Sequence, residues 1–149
     1  MKVREAMVKK VKTIKSGQTL EQAAKILIEK NISGAPVVNK EGKLVGMVSE
    51  KDLFKTLYPD MQDVLRHIKL WLSKEKIKYR VAAKKKILVD SFMTKKVIAV
   101  NEDEPILKVG SLMLAEKIHR LPVLRKNKLV GIVSRRDIFR KLLKDDLAL

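Results

Sequence analysis

The chain has no cysteine, two histidines, one tryptophan and an aromatic content of only 4% over 149 residues. Without cysteine neither a disulfide framework nor a thiolate zinc site can form, and His67 and His119 are too few and too far apart to supply one of imidazoles. Scarce aromatics leave little for platforms that stack nucleobases. Acidic residues are also few, 17 against 34 Lys and Arg, for a net charge of +17. A positive potential favours anionic partners, nucleotides or nucleic acid. A Lys-rich surface is also a habit of thermophilic proteins, and both readings of the charge stand. The opening MKVREAMVKK lacks the apolar run of a secretory signal, and Lys or Glu interrupts every apolar stretch well short of a bilayer span. The expectation is a cytoplasmic protein that does not enter the membrane. No GxSxG, P-loop or HExxH pattern is present, so neither a catalytic residue nor a metal ligand is assigned, and no enzyme activity is expected.

What is present is a repeat. KLVGMVSEKDLF from Lys43 returns as KLVGIVSRRDIF from Lys128, 85 residues later. Upstream, ISGAPVV from Ile32 answers IHRLPVL from Ile118, and VREAMVKKV from Val3 answers VDSFMTKKV from Val89, both at a spacing of 86. The turn at Lys40–Gly42 is one residue longer than its counterpart, which accounts for the change. Self-similarity of this kind means two copies of one structural unit.

Each copy carries the same local signals. A β-branched run (residues 11–14; 97–100) leads into turn residues, and a helix follows. Thr19 with Gln22 forms a capping box for the first such helix, and Pro105 is placed at the first helical position of the second. Leu20, Ala23, Ala24, Leu27 and Ile28 in the first, and Ile106, Val109, Leu112 and Met113 in the second, recur at helical spacing. Ala24 and Gly110 occupy equivalent positions, where small residues suit close helix-to-sheet packing. Two strands joined by a tight turn come next (36–39 and 44–48; 122–125 and 129–133), each ending in Ser before a further helix. The order is β-α-β-β-α, twice, an α/β (α+β) architecture. One copy is too small to cover its own apolar face, so the two are expected to pack about a pseudo-twofold axis. The boundaries are 1–57 for repeat 1, 58–87 for a connector and 88–149 for repeat 2.

The connector departs from the repeat. Val64, Leu65, Ile68, Trp71 and Leu72 predict one amphipathic helix. Between Arg66 and Lys86 nine basic residues face one acid, Glu75. Lys74, Lys76, Lys78, Arg80, Lys84, Lys85 and Lys86 are therefore the candidate contacts to nucleic acid, or equally a solvated stripe.

Ser49-x-x-Asp52 and Ser134-x-x-Asp137 lie at strand-to-helix junctions. Such a pair is a helix cap, with the acid suited to the positive end of the dipole. The same junction offers free N–H groups to a phosphate, a hydroxyl to help, and a carboxylate to receive ribose hydroxyls.

A strand closing on G-h-V-S-x-x-D, preceded by h-x-x-h-P-V, resembles the cystathionine-β-synthase (CBS) domain. Two copies resemble the tandem pair called a Bateman module, of the stand-alone prokaryotic and archaeal type. The resemblance implies a regulatory module that takes AMP, ADP, ATP, S-adenosylmethionine or a related adenosyl compound as ligand, without a cofactor. It further implies crosswise sites: Ser49 and Asp52 with Ile98, Ile118, His119 and Arg120, and Ser134 and Asp137 with Lys12, Ile32, Ser33 and Gly34. Serines would meet phosphate and aspartates ribose. A homodimer through the helices bearing Phe54, Leu57, Phe139, Leu142 and Leu143 is implied too. The alternative is a nucleic-acid-binding protein that uses the basic stripe, with or without nucleotide as effector.

Overall fold

The computed structural model describes residues 1–147 and is mixed α/β, with two three-stranded sheets. The elements run β1 (Ile14–Lys15), α1 (Leu20–Glu29), β2 (Gly34–Val38), β3 (Leu44–Ser49), α2 (Glu50–Leu57), α3 (Met61–Arg66), α4 (Ile68–Trp71), α5 (Lys74–Lys84), β4 (Val100–Asn101), α6 (Ile106–Ala115), β5 (Arg120–Arg125), β6 (Lys128–Ser134) and α7 (Arg135–Leu147). Single 3-10 turns at Val3–Glu5 and Val89–Ser91 open the two copies.

Two compact units result, and they do not follow the repeat in a simple way. One holds Thr13–Lys40 and Val45–Lys95; the other holds Met1–Lys12, Glu41–Leu44 and the chain from Lys96 onward. They are termed the β1–β3 unit and the β4–β6 unit. The leading turn of each repeat thus sits in the unit built by the other. Val3 is fully buried beside Val100, Ile106, Val109, Met113, Leu121, Val123, Val133 and Ile138. Val89 is buried beside Ile14, Leu20, Ala23, Leu27, Ala35, Val37, Val48 and Leu53. The two cores match position for position at the repeat spacing, with Val3 and Val89 exchanged. Burial of such side chains contributes roughly 1.5–3 kcal/mol each.

Backbone bonds fix the exchange. Val3 N–H donates to Glu104 O at 2.9 Å, and Val89 N–H to Gln18 O at 2.8 Å. Val8 pairs with Ile132, and Thr94 with Met47, as short antiparallel bridges onto β6 and β3. These bridges explain the glycine in each G-h-V-S motif. A Cβ at Gly46 would lie 2.6 Å from Met93 Sδ and 3.1 Å from Thr94 O; one at Gly131 would lie at those same distances from Met7 Sδ and Val8 O.

Within each sheet the short leading strand runs parallel to its neighbour, Ile14 beside Val37 and Val100 beside Val123. β5 and β6 are antiparallel, with Arg120 opposite Ser134. Lys126 and Asn127 join them at φ of 48° and 64°, the paired positive angles of a two-residue hairpin turn. Helices α1 and α6 both end on a left-handed residue, Asn31 and Lys117. The next amide closes back on the helix, Ile32 N–H to Leu27 O at 3.0 Å and Ile118 N–H to Met113 O at 2.9 Å.

Three expectations need correction. The connector helix is broken: α3 ends at His67 (φ −128°, ψ 40°) and α4 starts after it, while α5 adds a helix that the apolar pattern did not show. Pro105 is the N-cap of α6 and Ile106 its first residue. Gly110 answers no steric demand, since a Cβ there would meet Ile138 Cγ2 of α7 at an ordinary 3.9 Å.

Candidate functional site

The two Ser-x-x-Asp junctions form matching caps. Ser49 is the N-cap of α2, with its backbone extended. Its N–H and hydroxyl donate to Asp52 Oδ2 at 2.8 and 3.0 Å, and its Oγ receives Asp52 N–H at 3.3 Å. Ser134 repeats this with Asp137 at 2.8, 2.6 and 3.1 Å. In both pairs the serine bonds converge on one carboxylate oxygen, Oδ2. The capping role is therefore real, and a polar Ser–Asp group is held at the positive end of each helix.

A second contact joins each cap to the preceding h-x-x-h-P segment. Glu50 N–H donates to Ser33 O, and Arg135 N–H to His119 O, both at 2.9 Å. Arg135 also brings a guanidinium nitrogen to the His119 ring, 2.6 Å from Nδ1 and 3.0 Å from Nε2. The sequence reading missed this residue as a partner; its place directly after the capping serine was the available signal. Glu50 holds the equivalent place after Ser49, so one junction carries an added cation and the other an added acid.

The units divide the remaining residues. Ile32, Ser33 and Gly34 share the β1–β3 unit with Ser49 and Asp52; Lys12, Ile98, Ile118, His119 and Arg120 share the β4–β6 unit with Ser134 and Asp137. Gly34 is buried at the start of β2, Ile32 and Ile118 are half-buried, and Lys12, Ser33, Ile98 and His119 are exposed.

Much of the basic stripe has internal work. Arg80 Nε donates to Leu57 O and its Nη2 to Tyr58 O at 3.3 Å, while Lys84 Nζ donates to Thr56 O at 2.9 Å. These cations satisfy carbonyls at the C-terminus of α2, where positive charge offsets the dipole. Lys76 and Arg80 each lie 5.6 Å from the centre of the Trp71 ring. The Lys85 and Ile87 carbonyls accept the Glu21 and Leu20 amides at 3.0 and 2.7 Å, which serves the exposed start of α1. Lys78 and Lys86 are exposed, and the side chain of Lys74 lies outside the described residues.

Elsewhere, charge is used structurally. The Ser16 hydroxyl and Gly17 N–H donate to Asp90 at 2.5 and 2.7 Å, which holds its carboxyl below the usual aspartate value. Arg125 forks onto the buried Glu102, with Nη2 2.8 Å from Oε2; its hydrogen bonds lower the Glu102 pKa, and Glu102 raises that of Arg125. Glu104 is lowered by the Asn101 N–H and then by Lys108. Among the described residues no cluster of three His, Cys, Asp or Glu could hold a metal ion, and no helix is long and apolar enough to cross a membrane.

Comparison with known proteins agrees with this architecture. The CBS domain family model matches residues 3–59 and again 89–144. An uncharacterised protein of Methanocaldococcus jannaschii is 37% identical over 130 residues, covering 78% of this chain and 77% of that one. Homoserine O-acetyltransferase of Methanohalobium evestigatum is 30% identical over 93% of this chain but only 23% of its own length. The chain spans less than half the length of the first curated relatives it matches. Among solved structures, the CBS domain pair of protein MJ0100, determined in complex with 5′-methylthioadenosine and S-adenosyl-L-methionine, aligns with a TM-score of 0.71 at 29% identity, over 97% of this chain and 98% of that one. With two matched copies covering most of its length and a shared pair fold, the chain belongs to the CBS domain family.

Proposed function

We propose that the chain is a regulatory module that binds adenosyl ligands, with the Ser-x-x-Asp junctions as its ligand-holding groups. The observation that carries the reading is the doubled Ser–Asp cap. Each places a hydroxyl, a carboxylate and a helix N-terminus within one turn, tied by backbone to the exposed segment at Ser33 or His119. Asp Oδ2 is occupied by the serine, so Oδ1 is the atom offered to ribose hydroxyls. Phosphate, or the charged end of S-adenosylmethionine, then distinguishes the ligands. Arg120, His119 and Lys12 favour phosphate through charge-assisted bonds. The ligand complex of protein MJ0100 supports the adenosyl class.

Titration calorimetry with AMP, ATP, S-adenosylmethionine and 5′-methylthioadenosine tests this directly. Saturable binding of at least one is expected, lost or weakened in Asp52→Ala and Asp137→Ala. No heat with any of the four, on folded protein, removes the proposal.

The module acts as a cytoplasmic homodimer in this reading. Phe54 and Phe139, at equivalent positions on α2 and α7, are 60% and 62% exposed, and a partner copy would cover them. Light scattering that gives a monomer at tens of micromolar, roughly the useful range for a standard-size interface, rejects the dimer.

A further inference from the structure

The family match stops at residue 59 and resumes at 89, so α3, α4 and α5 lie between its two matched copies. Against the end of α2 they enclose two adjoining compartments within the β1–β3 unit. The first, of about 410 Å³, is walled by Phe54, Leu57, Val64, Ile68, Trp71 and Ile77, with Arg80 at its edge. That size lies in the lower part of the range, about 300–1,000 Å³, that takes small ligands. The second, of about 290 Å³, is lined by Asp63, Lys76, Tyr79, Arg80 and Lys84 around the same tryptophan. Three cations against one acid leave it positive.

Trp71 and Arg80 belong to both compartments. The indole N–H of Trp71 is buried with no acceptor among the described residues. Arg80 spends Nε and Nη2 on the carbonyls of Leu57 and Tyr58, which fixes its guanidinium and leaves other N–H groups of the fork to bind. Lys84 is tethered in the same way to Thr56 O. An oily chamber thus opens beside a positive one, with Trp71 and Arg80 shared between them.

We propose that these compartments form a second ligand site for a single-chain amphiphilic anion, a hydrocarbon chain ending in a carboxylate. The chain would fill the apolar compartment. The carboxylate would pair with Arg80, Lys76 and Lys84 in the polar one, beside the Trp71 ring. A partner helix is a poorer fit, because the apolar space is of small-ligand size and is flanked by the broken turn at His67. This site is independent of the Ser-x-x-Asp junctions, so failure of either ligand reading leaves the other intact, but it shares Phe54 with the proposed dimer contact, and a dimer that covers the chamber excludes it.

Trp71 is the only tryptophan in the chain, so its fluorescence reads this site alone. The probes are dodecanoate below its micellar concentration, dodecanol as the uncharged chain, and acetate as the head without the chain. Dodecanoate should give a saturable change, dodecanol one at least tenfold weaker in affinity, and acetate none. Lys76→Glu should weaken dodecanoate about tenfold, the loss of one charge-assisted contact. Leu72→Asp, at a largely exposed position on the apolar rim, should abolish the response while far-UV circular dichroism stays unchanged. Equal affinity for dodecanol and dodecanoate overturns the proposal, as does retained affinity in both variants. A response seen only with micelles or with anionic phospholipid vesicles marks a lipid surface and overturns it too. So does Trp71 emission that changes with protein concentration alone, which would mean that a second copy covers the groove.

Discussion

Nine core positions of the β1–β3 unit have nine counterparts in the β4–β6 unit, yet the two cores are filled differently. Ala23 and Ala35 stand where the other unit has Val109 and Leu121. In return the β1–β3 core is packed by Phe92, whose counterpart against the other core is Ala6. One fold has been solved twice, with volume moved from a strand to the exchanged leading turn. The lesson is that the leading turn is part of the core and not a tail. The largest expected effects follow from breaking this trade. Leu121→Ala should cost about 2–5 kcal/mol, as removal of a fully buried leucine does. Ala35→Leu should cost about 1–3 kcal/mol by overpacking, and Phe92→Ala added to it should recover part of that loss. Urea denaturation of the single and double variants checks both. A double variant no better than the sum of the singles would show that Phe92 and position 35 do not share space.

The glycines of the repeated motif give the next largest effect. Gly46→Ala and Gly131→Ala each push a Cβ against a methionine sulfur and a backbone carbonyl, and only the sulfur can yield. Each should lose about 1–3 kcal/mol. Shortening Met93 or Met7 to Ala should rescue the matching glycine variant only, since Met93 belongs to Gly46 and Met7 to Gly131. Cross-rescue in thermal melts would contradict the exchange of leading turns.

How much of this was visible in the residues alone depends on whether the two copies agree. Where both carry the same signal, the reading held: the helical stripes from Leu20 and Ile106, the hairpins and both Ser-x-x-Asp caps are all found. Repetition made chance agreement implausible at those positions. The exchange of Val3 and Val89 was invisible, because both turns have the same sequence character and hydrophobic periodicity does not say which core a side chain enters. The connector was misread for a different reason. Its apolar spacing continues through His67, but the backbone there leaves the helical region, and α5 is held by polar tethers from Arg80 and Lys84 that no apolar pattern reports. The basic run could be seen, while its use on α2 carbonyls could not.

The ligand sites sharpen the comparison further. Arg135 beside His119 makes the β4–β6 junction more positive than the other, where Glu50 follows the capping serine. Ser49→Ala and Ser134→Ala should each cost about 1 kcal/mol as lost caps. In calorimetry, phosphate-rich ligands should depend on Arg120 and His119, and an uncharged nucleoside should not. The family resemblance implies that Asp52→Ala and Arg120→Ala remove one binding event and Asp137→Ala another. If Arg120→Ala and Asp137→Ala act on the same event, the crosswise assignment is wrong.

Acid should separate the units by a smaller margin. The β4–β6 unit uses Glu102 and Glu104 where the repeat spacing places Ser16 and Gln18 in the other; the β1–β3 unit uses Asp90 where the other has Arg4. All three carboxyls are lowered, Asp90 first by the Ser16 hydroxyl, Glu102 first by Arg125, and Glu104 first by the Asn101 N–H. A lowered carboxyl stabilises the fold fully above its ordinary value, 3.8 for Asp and 4.5 for Glu, and loses that contribution as pH falls through the folded value. Glu102→Gln with Glu104→Gln should therefore flatten the acid side of a stability profile more than Asp90→Asn does. An Asp90→Asn profile that is the flatter of the two would place the acid-sensitive contacts in the β1–β3 unit.

The smallest effect, and the only one of opposite sign, lies at Ala24 and Gly110. These positions are equivalent on α1 and α6, both in helix interiors. Glycine there has more backbone freedom to lose and is worth about 0.5–1 kcal/mol less than alanine. The sequence suggested that a small residue was needed for close packing, but the nearest atom to an added Cβ at Gly110 is Ile138 Cγ2 at 3.9 Å, an ordinary contact. Gly110→Ala should therefore stabilise the protein by up to about 1 kcal/mol, and Ala24→Gly should destabilise it by a similar amount. Leu112 and Met113 pack on the core from the same helix, so a stiffer α6 should leave ligand affinity at the Ser134 junction unchanged. Thermal melts and one calorimetric titration decide the matter. If Gly110→Ala is destabilising, α6 and α7 approach more closely than 3.9 Å allows; if it stabilises but weakens the ligand, the glycine serves motion of α6 during binding.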